Sequence, residues 1–153
     1  MEVKTDHAKK AGDLFLSGCS CSQAILCAFE DVTGLDQGTA MRLASSFGGG
    51  MGRMREVCGS VSASLMVLGL LYGYETPGDY EAKKLHYALV QEFAKRFMER
   101  RGSIVCRDIL KGIATDDSPI PSERNEEYYK KRPCLFVIED AAYILEEMIK
   151  EIG

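Results

Sequence analysis

The segment from Gly59 to Tyr72 most constrains the fold, because none of its fourteen residues carries a charge. A helix that is apolar on every side is typical of the centre of a protein. Ser60, Ala63 and Ser64 are small, so neighbouring helices can approach this one closely. The longest nearly apolar run, from Leu65 to Tyr74, has ten residues, whereas a helix needs about 20 to cross a bilayer. The segment therefore predicts a central core helix and not a membrane span.

Two amphipathic stripes predict long helices that would cover this core. The first runs over residues 82–97 and ends at Gly102, with basic residues in its last turns, where the helix dipole favours them. The second runs over residues 138–152 with apolar side chains at helical spacing. Shorter helices are predicted over residues 8–16, 22–32 and 36–47, the last with Asp36 as its N-cap. We expect an all-α, compact single-domain helical bundle around a buried central helix that contacts both long stripes.

One long polar stretch, residues 115–132, interrupts the helical pattern. It contains Asp116, Pro119 and Pro121 and a charged run, a composition typical of a surface loop. The single helix that follows it needs the rest of the chain as its core. We therefore predict one domain over residues 1–153, with residues 115–132 as a surface loop whose carboxylates are solvated.

Charge and cysteine content narrow the classes of function. The 153-residue chain has a formal net charge of −4 and no block of five like charges, so nothing predicts a nucleic-acid or anionic-lipid partner. No apolar stretch follows the charges of the N-terminal sequence MEVKTDHAKK, so we predict no secretory signal and a cytoplasmic protein. Six cysteines in that reducing compartment point to burial, metal binding or thiol chemistry rather than to a disulfide framework.

The positions of the cysteines separate four of them from the other two. Four lie at predicted helix starts, where the helix dipole and unpaired N–H groups stabilise a thiolate and lower its pKa. Arginines near these cysteines act in the same direction. The other two are Cys27, which fits a helical core stripe as a small hydrophobe, and Cys19, to which we assign at most an accessory role. The four are Cys21, Cys58, Cys106 and Cys134.

A glycine-rich run, Gly48 to Gly52, precedes Cys58 and resembles a phosphate-binding loop only superficially. It follows a predicted helix instead of a strand, and Arg55 stands where the last Gly of a G-x-G-x-x-G motif would be. We interpret it as a turn with positive φ values or a close backbone approach that shapes access to Cys58. His86, on the long helix after Leu85, is interpreted as a residue of a helix interface.

These segments together resemble the C_GCAxxG_C_C family of putative redox-active proteins. The motif-bearing stretches are residues 18–24, 44–53, 58–63 and 102–107, followed by Cys134, and the likeness spans roughly residues 10–148. Ser60 and Ala63 stand where the CGAxxG motif of the family has Ala and Gly. The resemblance implies a redox role for four cysteines, and the positions that match are Cys21, Cys58, Cys106 and Cys134.

Three hypotheses remain open at this point. The first is a thiol–disulfide redox protein, an oxidoreductase if it turns over, with Cys58 as nucleophile because Arg53 and Arg55 precede it, and with Cys106 or Cys21 as its resolving partner. The second is a metal or iron–sulfur site ligated by the same four thiolates, although their spacings of 37, 48 and 28 residues are unusual for structural zinc. The third is a small-ligand binding protein with structural cysteines. The redox partner and any cofactor are unknown from the sequence.

Overall fold

The computed structural model describes residues 6–153, and regular structure in this range is helical throughout. No β-strand occurs in the described range, where a single isolated antiparallel bridge joins Val57 and Val105. The predicted all-α class is therefore confirmed. Residues 1–5, on which part of the prediction about a secretory signal rests, lie outside the described residues. The helices are α1 (His7–Leu16), α2 (Cys21–Ala28), α3 (Glu30–Thr33), α4 (Gln37–Ala44), a 3-10 turn (Ser45–Phe47), α5 (Gly48–Met51), α6 (Gly59–Tyr72), α7 (Tyr80–Arg101), α8 (Cys106–Ile109), α9 (Glu126–Lys131) and α10 (Cys134–Ile152).

The uncharged helix α6 lies at the centre, as predicted. Val61, Ala63, Val67 and Leu68 are at most 1% exposed, and α7 and α10 both pack against the helix. Its main partner, however, is α2, whose role as the closest neighbour the sequence did not indicate. The buried Ser64 hydroxyl donates a hydrogen bond to the carbonyl oxygen of Ser60 at 2.7 Å, so this small polar side chain does not disturb the core. In the part of the chain that the structure describes, no helix is both long enough and apolar enough to cross a membrane.

Helix α7 buries only half of its predicted stripe. Phe93 and Phe97 are fully buried, but Leu85 is 67% exposed, so its assignment to the core was wrong. The reason is length, because α7 has 22 residues and α6 has 14. At about 1.5 Å per residue, α7 is roughly 12 Å longer than α6, so α6 cannot cover it along its whole length. His86 lies on this projecting half, beside Tyr74.

The polar stretch 115–132 was predicted as a surface loop, but only part of it is a loop. Helix α9 occupies Glu126–Lys131 and begins at Asn125, whose side chain accepts a hydrogen bond from the backbone N–H of Tyr128 at 2.9 Å. The rings of Tyr128 and Tyr129 then pack against Phe15 of α1. This contact holds the stretch against the bundle.

A buried histidine ties α1 to the rest of the bundle. His7 is 2% exposed and stacks on Phe29 with ring centroids 4.2 Å apart. Its Nδ1 lies 2.7 Å from Glu146 Oε1, and its Nε2 lies 3.0 Å from both carboxylate oxygens of Asp31. One side chain thus joins α1, α3 and α10.

Replacement of His7 by Ala should lower the free energy of unfolding by about 3 kcal/mol. It removes the stacking on Phe29 and leaves the largely buried Glu146 with only the longer ion pair to Lys150, at 3.9 Å. Chemical denaturation measures this loss. The matched control is Lys9→Ala, whose ion pair with Asp13 is exposed on both sides and should contribute less than about 0.5 kcal/mol. Equal effects of the two substitutions would contradict this role for His7.

Candidate functional site

Four cysteines at four helix starts line one cavity of about 430 Å³. Cys21, Cys106 and Cys134 are the first residues of α2, α8 and α10, and Cys58 is the N-cap of α6. The sequence therefore located these thiols correctly. All six cysteines of the chain are free thiols.

A capping box at the start of α2 fixes the position of Cys21. The hydroxyl of Ser20 accepts a hydrogen bond from the backbone N–H of Gln23, and the Gln23 side chain accepts one from the backbone N–H of Ser20. The next residue, Ser22, donates from its hydroxyl to the carbonyl oxygen of Ala44 at 2.8 Å. These bonds hold the first turn of α2 against the end of α4 and aim Cys21 toward the glycine-rich run.

The glycine-rich run has positive φ values, as predicted, but the unusual conformation extends beyond the glycines. Every residue from Gly49 to Arg55 except Met54 lies in the left-handed region, including Met51, Arg53 and Arg55. Each residue with a Cβ costs about 1–2 kcal/mol in this conformation. Such strain is typical of functional sites, where the surrounding structure holds it in place.

Backbone hydrogen bonds join residues 55–58, which follow the glycine-rich run, to residues 104–107 at the start of α8. The N–H of Cys58 donates to the carbonyl oxygen of Ile104 at 2.8 Å, and the N–H of Cys106 donates to that of Glu56 at 2.6 Å. Arg107 N–H also donates to the carbonyl oxygen of Arg55. Two cysteines 48 residues apart in the sequence are thereby brought to one wall of the cavity.

Two glycines allow the backbone to approach the cysteines closely. A Cβ at Gly59 would lie 2.5 Å from the sulfur of Cys21, and a Cβ at Gly50 would lie 2.7 Å from the Cβ of Cys106. Both distances are shorter than real contacts. The interpretation of the run as a close backbone approach is correct, but Gly50 approaches Cys106 and not Cys58. The close approach to Cys21 comes from Gly59, the first residue of α6.

Among the four cavity cysteines, Cys21 is the one whose pKa is lowered. Hydrogen bonding from the Cys58 thiol, helped by the backbone N–H groups of Gly49, Ser22 and Gly59, lowers the pKa of Cys21 to about 6. The same interaction raises the pKa of Cys58 well above its usual value, and burial adds to the effect. The expectation that Cys58 has the lowered pKa is therefore wrong.

Burial keeps the other two cavity cysteines protonated at neutral pH. It raises the pKa of Cys106, although Arg55, with Nη1 3.9 Å from the sulfur, acts in the opposite direction. It also raises the pKa of Cys134 to about 12, with a further contribution from the charge of Cys21. A helix start alone thus did not lower a thiol pKa at either position, because desolvation of the charged form outweighs it.

Cys27 and Cys19 lie outside the cavity. Cys27 is 2% exposed in the core, as predicted, and burial raises its pKa. The sulfur of Cys19 lies 4.0 Å from that of Met41, and burial raises its pKa also. Both residues therefore offer natural controls for thiol experiments on the cavity.

The cavity thiols do not form a ready metal centre. Within residues 6–153, no three His, Cys, Asp or Glu side chains are grouped so that they could hold a metal ion. The cavity instead places Cys21, whose pKa is lowered, beside Cys58, whose pKa is raised.

The polar stretch 115–132 supplies one side of the cavity, which sequence reasoning missed. Pro119, Pro121, Arg124 and Tyr128 all line it. The guanidinium of Arg124 stacks 4.8 Å from the ring centroids of both Phe15 and Tyr128. The pair of tyrosines within an otherwise charged run was the available signal, since buried aromatic rings are unusual in a fully solvated loop.

Replacement of Gly59 by Ala should destabilise the protein and disturb Cys21, because the added methyl group would contact the sulfur and the carbonyl oxygen of Phe47 at 2.6 Å. Overpacking of this kind costs about 1–3 kcal/mol. Gly69→Ala in the same helix is the control, because nothing lies within 4 Å of its added Cβ. The control should gain up to about 1 kcal/mol from helix propensity. Denaturant unfolding of both variants measures the difference, and a neutral Gly59→Ala would contradict the close approach.

Alkylation by iodoacetamide should show one fast thiol with a midpoint near pH 6, because the reagent attacks the thiolate. Cys21→Ser should remove this phase, and Cys19→Ser should leave it unchanged. Cys58→Ala should raise the midpoint more than Cys58→Ser, since the serine hydroxyl still donates a hydrogen bond. A fast phase that survives Cys21→Ser would assign the thiolate to another residue.

Of three comparisons with known proteins, one found a match. No curated protein and no solved structure matches the chain. The sequence profile of one family, described as putative redox-active protein (C_GCAxxG_C_C), matches residues 19–148, a span that includes all four cavity cysteines. The chain therefore belongs to the C_GCAxxG_C_C family of putative redox-active proteins.

Proposed function

We propose that the protein carries out thiol–disulfide exchange, with Cys21 as nucleophile and Cys58 as resolving thiol. The observation that carries the proposal is geometric: the sulfur of Cys21 lies against Gly59, the residue after Cys58, and both cysteines line one cavity. The lowered pKa of Cys21 supports the assignment of the nucleophile. A thiol with a pKa near or below ambient pH combines a high thiolate fraction with useful nucleophilicity. The six free thiols are consistent with work in a reducing compartment such as the cytoplasm.

The exchange balances with the groups present and one disulfide substrate. The Cys21 thiolate attacks one sulfur of the substrate, its S–S bond breaks, and a mixed disulfide forms. The departing thiolate takes the proton of Cys58, whose sulfur then attacks Cys21 and expels the second substrate thiolate. The two cysteines are oxidised to one disulfide, and the substrate gains two electrons and becomes one thiol and one thiolate. The thiolate then takes a proton from the solvent. Excess reducing thiol returns the pair to its starting state by the reverse steps.

The close contact of Cys21 and Cys58 supports this division of roles. Cys58 is 7% exposed and keeps its proton, so a substrate in the cavity meets the Cys21 thiolate first. Ionisation of Cys58 becomes easier once Cys21 has formed a mixed disulfide, because the neighbouring negative charge is then gone. Cys106 and Cys134 line the same cavity and are the alternative resolving thiols.

Cys58→Ser should trap the mixed disulfide on Cys21 when the protein is treated with a small disulfide, since no resolving thiol remains beside it. Wild-type protein should instead form an internal Cys21–Cys58 disulfide, and peptide mapping by mass spectrometry distinguishes the two products. Cys21→Ser should form neither product at a comparable rate.

Cys19→Ser is the matched control and should behave as wild type, because Cys19 lies outside the cavity. Resolution of the mixed disulfide in Cys58→Ser by Cys106 or Cys134 would reassign the resolving role. Absence of any reversible oxidation in the wild-type protein would overturn the proposed function.

A further inference from the structure

The walls of the cavity hold four arginines and no acidic side chain in the part of the chain that the structure describes. We propose that the cavity is a binding site for small organic anions, and that the substrate of the dithiol is a small organic disulfide carrying carboxylate groups. The second statement rests on the proposed thiol–disulfide exchange. The first concerns binding and stands or falls separately.

Most of the positive charge in the cavity is uncompensated. Of its arginines, only Arg53 forms an ion pair among residues 6–153, with Asp116 at 3.3 Å. Arg55, Arg124 and Arg132 have no carboxylate within 4.0 Å in that range. The single thiolate of Cys21 leaves the site with a positive balance, which attracts anions.

Two buried polar groups on the cavity wall have no hydrogen-bond partner. Arg55 is 6% exposed; its Nε donates to the carbonyl oxygen of Asp116 at 3.1 Å, but its Nη2 has no acceptor among the described residues. The hydroxyl of Ser60, which is fully buried, is likewise unpartnered. An unsatisfied buried donor costs about 1–3 kcal/mol and more when charged, so an acceptor supplied by a ligand would recover this loss.

The apolar part of the wall favours an organic anion over an inorganic one. Phe15, Leu110 and Val137 line the cavity, whose volume of about 430 Å³ falls within the usual range for small-molecule sites. A carboxylate can bind Arg55 and the hydroxyl of Ser60. The carbon and sulfur atoms of the same molecule can then pack on the apolar wall beside Cys21. Anionic end groups and an apolar middle with an S–S bond thus match the site.

The experiment uses three disulfides of similar size and different charge, which are 2,2′-dithiodiacetate, bis(2-hydroxyethyl) disulfide and cystamine. The rate at which each disulfide oxidises the wild-type dithiol is measured under pseudo-first-order conditions. Each rate is then divided by the rate at which the same disulfide reacts with a free thiol in solution. We expect the anionic probe to exceed the neutral one by at least about tenfold, equivalent to about 1.4 kcal/mol. The cationic probe should be the slowest.

Arg55→Gln and Arg132→Gln should each lower the ratio of the anionic to the neutral rate. A ratio is used because a change in the reactivity of Cys21 itself affects both rates equally. Arg107→Gln is the matched control, since Arg107 is exposed, pairs with Glu56 and lies outside the cavity. It removes the same charge close to Cys106 and should leave the ratio unchanged.

Adipate, a carbon analogue of the anionic probe without sulfur, tests binding alone. It should slow alkylation of Cys21 by iodoacetamide, whereas hexane-1,6-diol should not. Protection by adipate without oxidation by any disulfide would keep the anion site and overturn the proposed function. Oxidation by all three disulfides at equal normalised rates, with no protection by adipate, would keep the proposed function and overturn the anion site. If Arg55→Gln fails to fold, Arg132→Gln and Ser60→Ala carry the same comparison.

Discussion

The contact between the start of α2 and the start of α6 organises the rest of the structure. At this contact the sulfur of Cys21 lies so close to Gly59 that an added Cβ would be only 2.5 Å from it. Position 59 therefore accepts no residue with a side chain. Both helices begin there, and the N–H groups of Ser22 and Gly59 both lower the pKa of Cys21. The absence of charge over the first half of α6 fits the same geometry, because Gly59, Ser60, Val61, Ala63 and Ser64 are all buried there. The helix emerges toward solvent only near its end, where Leu70 is 50% exposed.

The strained run from Gly49 to Arg55 packs against the same two helix starts and contacts Cys21 and Cys106. It brings the N–H of Gly49 to Cys21 and the backbone around Gly50 against Cys106, as a regular helix or an extended segment would not. Two of its residues with side chains are held in the left-handed region by contacts with other segments. Arg55 accepts a hydrogen bond from the N–H of Arg107, and the guanidinium groups of Arg53 and Arg55 contact residues 116–122. The strain and the thiolate site are therefore parts of one arrangement.

The sequence was sufficient for the central helix, the all-α class and the four cavity cysteines, since all depend on local patterns of charge, spacing and helix capping. It was insufficient for the order of the thiol pKa values. The pKa of Cys21 is lowered because the Cys58 thiol and the N–H groups of Gly49 and Gly59, all far along the chain, meet at its sulfur. No local pattern around Cys58 shows that the start of α6 lowers the pKa of Cys21 instead of that of Cys58. The sequence also did not predict that Leu85 is exposed, because its exposure depends on the lengths of α6 and α7 and on how they pack together.

The pKa values of the remaining cysteines also decide the charge of the cavity. Arg55 lowers the pKa of Cys106, and Arg132 lowers those of Cys106 and Cys134, yet burial outweighs these effects and both thiols stay protonated. If they were ionised, their charges together with that of Cys21 would neutralise the three arginines that lack carboxylate partners. Desolvation raises the pKa of Cys106 and Cys134 although both lie at helix starts. Because these two thiols stay neutral, the net charge of the cavity is positive. One reactive sulfur and a surplus of positive charge can coexist only because the other thiols are kept neutral.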